Sequence, residues 1–236
     1  MEKHNSRKQM IFIAIPNMGE IRAELVQRLI TWSHHDKYDV KIYMPAGMLP
    51  LDNARSHCLN RFMEISNDEN DRLWFIDADI IPPINAIDVL MQHDRDVCGL
   101  LCFMMKPDDK GQMVPLPIAL RYNQDRKYQI YWDGDGLTEI DAFGGGCVMT
   151  KRKVFERIGG RCYEFHYYPD GLLKLVGDYD FCQKVQAAGF KIYVDFNNQC
   201  SHFKTIDLKD INNLMCQVAA QKVSKEIPTY PPAMGS

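Results

Sequence analysis

The sequence predicts an α/β fold in which a mixed, mainly parallel sheet is flanked by helices and accompanied by a smaller antiparallel sheet. Residues 10–44 read strand, helix, strand, the order of a βαβ unit with parallel strands. The apolar run 73–76 reads as a buried strand and leads directly into Asp77 and Asp79. Turn residues between positions 123 and 136 then separate short strands, as in a hairpin or meander.

Length and composition indicate a globular protein with one well-formed core. The chain has 236 residues, of which 46% are hydrophobic and 25% are charged, so we expect a single domain over residues 1–236. The formal net charge is -3 and the pI about 6.2, which provides no overall electrostatic attraction to nucleic acid or anionic membranes.

The cysteines and the apolar runs bear on the compartment. Eight cysteines occur without a Cys-x-x-Cys pair, mostly inside apolar stretches, which favours reduced thiols over a zinc site or a disulfide framework. The start of the chain is polar, and no apolar run approaches the ~20 residues that span a bilayer. We therefore expect a cytoplasmic protein without a membrane span.

The first half of the chain begins with the βαβ unit. A strand over 10–15 stops at Pro16, and the loop 16–19 turns the chain into a helix over 20–32. After the strand 39–44, Asp52 is a plausible N-cap for the next helix, whose first turn carries Arg55. A guanidinium near the strand ends suits a bidentate contact with a diphosphate. The alternative is a solvated charge on the helix surface.

Asp77 and Asp79 stand where the buried strand should end. Side chains at i and i+2 of a strand point the same way, so both carboxylates can face one ligand across the small Ala78. Ligands of open α/β sheets bind beyond the carboxyl ends of the strands, and paired oxygen donors there suit Mg²⁺ or Mn²⁺. The alternative is that the aspartates only cap the turn before a helix over 84–93.

The second half departs from strand–helix alternation. Three glycines, 144 to 146, permit unusual backbone angles and close approach of a ligand, although no Walker loop is present. Asp178 opens a helix that Gly189 ends, and Asp180 follows two residues later. The remaining elements are expected as strands 96–103, 114–122, 127–132, 137–141 and 190–195, a helix 151–158, a turn at 197–198 and a final helix 207–222.

The stretch Phe75-Ile76-Asp77-Ala78-Asp79-Ile80, soon followed by Pro82, resembles the Asp-x-Asp segment of GT-A fold glycosyltransferases. The similarity is to family 2-like enzymes, including small ones carried by phages and large viruses, and it covers roughly residues 10–205. The resemblance implies that Asp77 contacts the nucleotide ribose and that Asp79 binds the metal. It also implies further sites: the nucleobase at Pro16 and Asn17, the sugar cleft at Gly145 and Gly146, a late metal ligand at His202, and a general base at Asp178, with Asp180 second.

The activity implied by the resemblance is transfer of a sugar from a nucleotide-diphospho-sugar, UDP- or GDP-linked, to an acceptor hydroxyl with inversion. Mn²⁺ or Mg²⁺ would be the cofactor, and a carbohydrate, modified nucleic acid or protein the acceptor. Residues 10–103 would bind the donor, 104–205 would form the acceptor and catalytic half, and 206–236 a helix and tail. Gly177 departs from the family, which often has Glu there.

Two alternatives stay open from the sequence. A nucleotidyltransferase acting on sugar phosphates also uses a sheet, a metal and paired acids, but it typically needs a basic Gly-rich loop that residues 16–19 lack. A non-catalytic module that binds nucleotide-sugar or nucleic acid would keep the fold without a base.

Overall fold

The computed structural model describes residues 7–107 and 111–205, together with 208, 209, 211–213, 215 and 216. In this part of the chain residues 208, 209, 211–213, 215 and 216 are helical, and the other helices are α1 (Ala23–Ser33), α2 (Leu51–Ile65), α3 (Ala86–His93), α4 (Arg152–Ile158) and α5 (Gly177–Ala187). The strands are β1 (Met10–Ala14), β2 (Asp39–Tyr43), β3 (Arg72–Ile76), β4 (Ile80–Ile81), β5 (Val97–Leu101), β6 (Phe103–Pro107), β7 (Met113–Pro117), β8 (Ala119–Tyr122), β9 (Tyr128–Ile130), β10 (Leu137–Ile140), β11 (Ala142–Phe143), β12 (Cys147–Lys151), β13 (His166–Tyr167), β14 (Leu173–Leu175), β15 (Ile192–Gln199) and β16 (Ser201–His202).

A seven-stranded sheet in the order β2-β1-β3-β12-β5-β15-β10 forms the centre of the fold. Strands β2, β1, β3, β5 and β15 run in one direction, while β12 and β10 run against them. A separate three-stranded antiparallel sheet has the order β11-β8-β9. The predicted class, a mixed and mainly parallel sheet flanked by helices with a smaller antiparallel sheet, is confirmed.

Alternate side chains of each strand point to opposite faces of the sheet, and each face forms one apolar layer. Phe12 and Phe75 point to the layer that packs against α2, α4 and α5, while Ile13 and Trp74 point to the layer that packs against α1 and α3. Strands β1, β3 and β5 are buried along their whole length, which explains their nearly continuous apolar sequence. This double cover leaves the carboxyl edge of the sheet as the place where polar side chains gather.

Several predicted elements differ from the observed ones. The expected strand 114–122 is divided between β7 and β8, and the expected turn at 197–198 lies inside β15, whose pairing with β5 is irregular there. β10 does not continue a meander but joins the edge of the main sheet, antiparallel to β15. The hairpin β13–β14 and the ladder β4–β16 were not predicted, because two- and three-residue strands carry no periodicity.

The chain divides into two compact units, the first comprising Met1–Met104 and Pro117–Phe203 and the second Met105–Leu116 and Lys204–Ser236. The predicted boundaries at residues 103 and 205 stay a prediction. Of the expected helix 207–222, the described residues are helical and the others lie outside the described part. None of the described helices is long and apolar enough to cross a membrane. The eight cysteines are free, and seven of them are buried.

Candidate active site

The Asp77–Asp79 turn lies at the carboxyl end of β3, in the middle of the main sheet. The Asp77 amide donates to the Gly146 carbonyl at 2.9 Å, and the Ile80 amide donates to the Asp77 carbonyl at 3.0 Å. These bonds fix the turn between β3 and the short β4. The two carboxylate side chains stay about one third exposed, at 33% and 38%. The turn therefore presents both predicted carboxylates at the strand ends.

His202 reaches this turn through the ladder of β16 on β4. His202 pairs with Ile80 in an antiparallel register, and the Phe203 amide donates to the Asp79 carbonyl at 3.0 Å. The ladder brings His202 Nε2 to 3.3 Å from Asp79 Oδ2 across 123 positions of sequence. The residues predicted as metal ligands are thus brought together, and their ligation of a metal stays a prediction.

The hydrogen bonds of His202 determine which of its ring nitrogens carries the proton. Nδ1 contacts the Phe103 carbonyl oxygen, which can only accept, so Nδ1 carries the proton. In the neutral ring, Nε2 then presents its lone pair towards an Asp79 oxygen that is also an acceptor. A protonated ring would instead donate Nε2–H to Asp79, so the pair is stabilised either by a proton on Nε2 or by a metal cation that both atoms bind. A ring N–H held by a backbone carbonyl is the usual arrangement of a metal-binding histidine, and this N/O donor pair fits Mn²⁺ or Mg²⁺.

Arg55 lies beneath the turn and is 2% exposed. Its Nη2 atom is 3.4 Å from Asp77 Oδ1, and Nη1 forms an ion pair with Asp178 Oδ1. Burial raises the pKa of the nearby Cys58 thiol to about 12, so this neighbour stays neutral. The guanidinium therefore connects two of the predicted functional carboxylates from below, and the predicted diphosphate contact of Arg55 stays a prediction.

The glycine turn 144–146 closes this network. The Gly145 amide donates to Asp178 Oδ2 at 2.9 Å. A Cβ atom at Gly145 would lie 2.4 Å from Arg55 Nη1, and one at Gly146 would lie 3.2 Å from Asp77 Oδ2. The guanidinium thus occupies the space that a side chain at position 145 would need. Packing against Arg55 therefore explains why this predicted site residue is a glycine.

We expect Gly145→Ala to lower the free energy of unfolding by about 1–3 kcal/mol, because overpacking a well-filled site costs that much. The new methyl group would press against a buried guanidinium that two carboxylates hold. Chemical denaturation measures the change. Gly177→Ala is the matched control, since the nearest atoms to its Cβ would be Glu164 N and Phe165 Cε1, both at 3.6 Å. Equal stabilities of the two variants would contradict the expectation.

Asp178 and Asp180 both lie in the first turn of α5 but have different surroundings. Asp178 is the one that contacts Arg55 and Gly145. Asp180 is 4% exposed, and its oxygens accept from the Glu164 amide at 3.0 Å and contact His166 Nε2 at 2.8 Å. The structure therefore groups Asp178, and not Asp180, with Asp77 and Arg55.

Glu164, His166 and Asp180 each bring one possible metal-ligand atom within 4.8 Å of the others. Lys184 Nζ lies 2.7 Å from carboxylate oxygens of both Glu164 and Asp180. Partial burial lowers the pKa of Lys184, but the two carboxylates outweigh it and leave this pKa above its ordinary value. The ammonium is thus the resident cation of the cluster, which ties the hairpin β13–β14 to α5.

The loop after β1 is joined to the loop after β2. The Asn17 amide donates to the Pro45 carbonyl at 3.1 Å, and the Gly47 amide donates to the Asn17 carbonyl at 2.9 Å. The Asn17 side chain also donates to the Ile15 and Pro45 carbonyls. Pro16 and Asn17 therefore lie just beyond the carboxyl end of β1, where the Asn17 side chain holds the loop, and their contact with a nucleobase stays a prediction.

Arg22 lies beside the Asp77–Asp79 turn, a position that the sequence analysis did not identify. Its backbone amide donates to the Ala78 carbonyl at 3.5 Å, and its guanidinium lies 3.8 Å from the ring centroid of Phe203. The side chain is 40% exposed, in contrast to the buried Arg55. A single arginine before a helix has no signature in sequence, and only the pairing of β16 with β4 reveals its neighbours.

No protein-family model matches the chain, and no curated protein matches it. Among solved structures, the chain is similar to A197 from STIV, with 17% identity over 84% of this chain and 86% of that chain and a TM-score of 0.55. This likeness shows a shared fold alone.

Two further structures match less well. They are GalNAc-T7 with UDP, GalNAc and Mn²⁺ (12% identity, 86% of this chain, 45% of that chain, TM-score 0.49) and 4-diphosphocytidyl-2C-methyl-D-erythritol synthase (11% identity, 89% of this chain, 100% of that chain, TM-score 0.47). Because both TM-scores lie below 0.5, neither likeness assigns an activity to this chain.

Proposed function

We propose that the protein is a metal-dependent glycosyltransferase that moves a sugar from a nucleotide-diphospho-sugar to an acceptor hydroxyl. The observation that carries the proposal is the Asp79–His202 pair at the carboxyl edge of the sheet, 3.3 Å apart, with the imidazole fixed by a backbone carbonyl. A nitrogen and a carboxylate oxygen at this separation are a donor pair that would suit a divalent cation such as Mn²⁺ or Mg²⁺. Asp77 and Asp178 complete a site with separate carboxylates for donor and acceptor.

Each residue has a distinct role in the proposed reaction. Asp79 and His202 hold Mn²⁺ or Mg²⁺, which when bound neutralises charge on a leaving diphosphate. Asp77 accepts hydrogen bonds from the ribose hydroxyls of a UDP- or GDP-linked donor. Arg55 holds the carboxylates of Asp77 and Asp178 in place from below. The loop at Pro16 and Asn17 borders the nucleobase, and the turn containing Gly145 and Gly146 borders the sugar.

The transfer step is a displacement at the anomeric carbon. The acceptor oxygen forms the new bond to that carbon while the bond from the carbon to the phosphate oxygen breaks, and the electron pair leaves with the nucleoside diphosphate. Asp178 takes the proton of the acceptor hydroxyl as general base. Attack from the face opposite the leaving group inverts the anomeric configuration.

Arg22 extends this proposal to the donor diphosphate. Its guanidinium lies on the ring that follows His202, and its Nη2 atom is 3.1 Å from Glu24 Oε1 in an exposed ion pair. Exposed pairs of this kind contribute little free energy, so a phosphate beside the Asp79–His202 pair can replace Glu24 as the partner of the guanidinium. We expect Arg22→Ala to weaken nucleotide-sugar binding about 10-fold or more, because a hydrogen bond to a charged group contributes roughly 1.5–3 kcal/mol. Calorimetry at saturating Mn²⁺ measures this change. Arg61→Ala, an exposed arginine on α2, is the control, and equal donor affinities in the two variants would contradict the role.

The experiment that tests the function is a panel of nucleotide-sugars, each titrated into the protein with Mn²⁺, with Mg²⁺ and with a chelator. Hydrolysis of the same donors, in which water replaces the acceptor, is measured through the release of the nucleoside diphosphate. The proposal expects at least one donor to bind and to hydrolyse only with metal. Binding of none of them, or pyrophosphate release from a nucleoside triphosphate and a sugar phosphate, would overturn it in favour of a binding module or a nucleotidyltransferase.

A further inference from the structure

A cavity of about 200 Å³ lies beside Asp178, on the α2 side of the candidate site. Its walls include Asp52, Arg55, Tyr163, Phe165, Gly177 and Asp178. The volume corresponds to roughly six or seven water molecules at ~30 Å³ each. The cavity is therefore large enough for a hydroxyl-bearing ring or its substituents, and too small for a nucleoside diphosphate.

Most of the lining surface is apolar and comes from two aromatic rings and the side chains of Leu51 and Val176, while two carboxylates and one guanidinium border it. Carboxylates accept hydrogen bonds from hydroxyl groups, and aromatic faces pack against the apolar C–H face of a sugar ring. Burial raises the pKa of Tyr163 well above its ordinary value, so its ring stays a neutral phenol. Two carboxylates against one guanidinium disfavour an anion, and the apolar surface suits the C–H face of a ring. The lining thus matches a ring that combines an apolar face with hydroxyl groups, as a sugar does.

Two polar groups of the walls retain hydrogen-bonding capacity. Arg55 is 2% exposed, and its buried Nε atom has no hydrogen-bond partner within the described residues. Asp52 Oδ1 accepts from the Asn53 amide at 3.0 Å, and in the same described part no bond of Oδ2 is found. Because Arg55 Nε has almost no accessible surface, the wall atom that can accept a hydrogen bond from a ligand is Asp52 Oδ2.

The cavity is open because residue 177 is glycine. A Cβ atom there would meet the Phe165 ring at 3.6 Å and Asp52 Cβ at 3.7 Å, which is ordinary contact. The backbone angle of Gly177 is not one of the positive φ values that require glycine. Neither a clash nor the backbone explains the missing side chain, and any larger one would enter the cavity.

We propose that this cavity is the acceptor subsite, that it takes a carbohydrate, and that Asp52 is an acceptor-binding residue. The proposal rests on the proposed function. Asp52 accepts a hydrogen bond from one sugar hydroxyl while the neighbouring hydroxyl is presented to Asp178. Asp52, in the first turn of α2, and Asp178, in the first turn of α5, both line the cavity, so one ring can contact both carboxylates.

The test uses free monosaccharides and their p-nitrophenyl glycosides as probe acceptors, with a donor that the protein hydrolyses. We expect transfer to at least one probe, and a KM for that probe raised about 10- to 100-fold in Asp52→Asn, the range of a hydrogen bond to a charged group. The Kd of the donor should not follow that change. Asp88→Asn removes the same charge from the first turn of α3 and is the control.

Gly177→Leu fills the cavity and gives a second, independent readout. We expect it to lose transfer to the probe while its donor affinity stays close to that of Gly177→Ala. An unchanged KM in Asp52→Asn, transfer by Gly177→Leu at the wild-type rate, or metal-dependent hydrolysis without transfer to any saccharide would each overturn the acceptor proposal and leave the proposed function standing. Absence of donor binding and hydrolysis would instead overturn the proposed function, and the acceptor proposal with it.

Discussion

Asp79→Ala should abolish metal-dependent donor binding while leaving the fold intact. The carboxylate is one of two side chains that face each other across a cation-sized gap, and loss of it leaves His202 as the remaining protein ligand. Removing a group that only orients a metal ligand already costs about 10- to 100-fold in metal affinity. We therefore expect the Mn²⁺-dependent part of nucleotide-sugar affinity to fall by at least ~100-fold, measured by calorimetry with and without Mn²⁺.

His202→Ala is the parallel variant, because it removes the other member of the pair and keeps Asp79. Both variants should lose the same metal-dependent part of the binding free energy, and both should retain whatever donor affinity remains in a chelator. Asp133→Ala removes a carboxylate from an exposed loop and serves as the control. Unchanged Mn²⁺-dependent affinity in Asp79→Ala would show that the metal, if it binds, is held elsewhere.

The part of the fold near Asp77 and Asp79 was predictable because it depends on local signals. A fully buried strand has a continuous apolar sequence, and a turn beyond it needs short polar residues, so β3 and its two carboxylates stand out in sequence. The same reasoning found β1, β2 and α5 with boundaries close to the observed ones. The prediction of Asp52 as an N-cap is wrong, because α2 begins at Leu51 after Pro50 and Asp52 lies inside its first turn. Asp178 was found because a helix start has its own signature.

The relation among the site residues was not predictable. Arg55 has the sequence signal of a helix charge, and only the tertiary structure places it against Asp77 and Asp178. In the sequence Gly145 looks like part of a flexible triplet, whereas in the structure the Arg55 guanidinium occupies the space beside it that a side chain would need. His202 reaches Asp79 through a two-residue ladder that has no periodicity to detect. These features depend on contacts between residues far apart in the sequence, and local sequence patterns carry no information about such contacts.

Asp178→Asn should reduce sugar transfer about 10²- to 10⁴-fold, the usual contribution of general-base catalysis, with donor and metal affinities within a few-fold of wild type. The asparagine is nearly isosteric, so its carbonyl oxygen can still accept from the Gly145 amide. It cannot take a proton from an acceptor hydroxyl. Single-turnover measurements at saturating donor separate this loss in the chemical step from any change in binding.

The same substitution also breaks the ion pair with Arg55, so the catalytic loss must be separated from a structural one. Arg55→Gln removes the pair and keeps the Asp178 carboxylate. Loss of one partner from a buried pair typically costs about 3–5 kcal/mol of stability, so both variants are assayed where denaturation curves show them folded. If Asp178 is the base, Asp178→Asn loses far more of the transfer rate than Arg55→Gln, and NMR of the wild-type product shows an inverted anomeric centre. Equal losses in the two variants, or a product with retained configuration, would show that Asp178 is not the inverting general base. Its role would then be to pair with Arg55 at the start of α5.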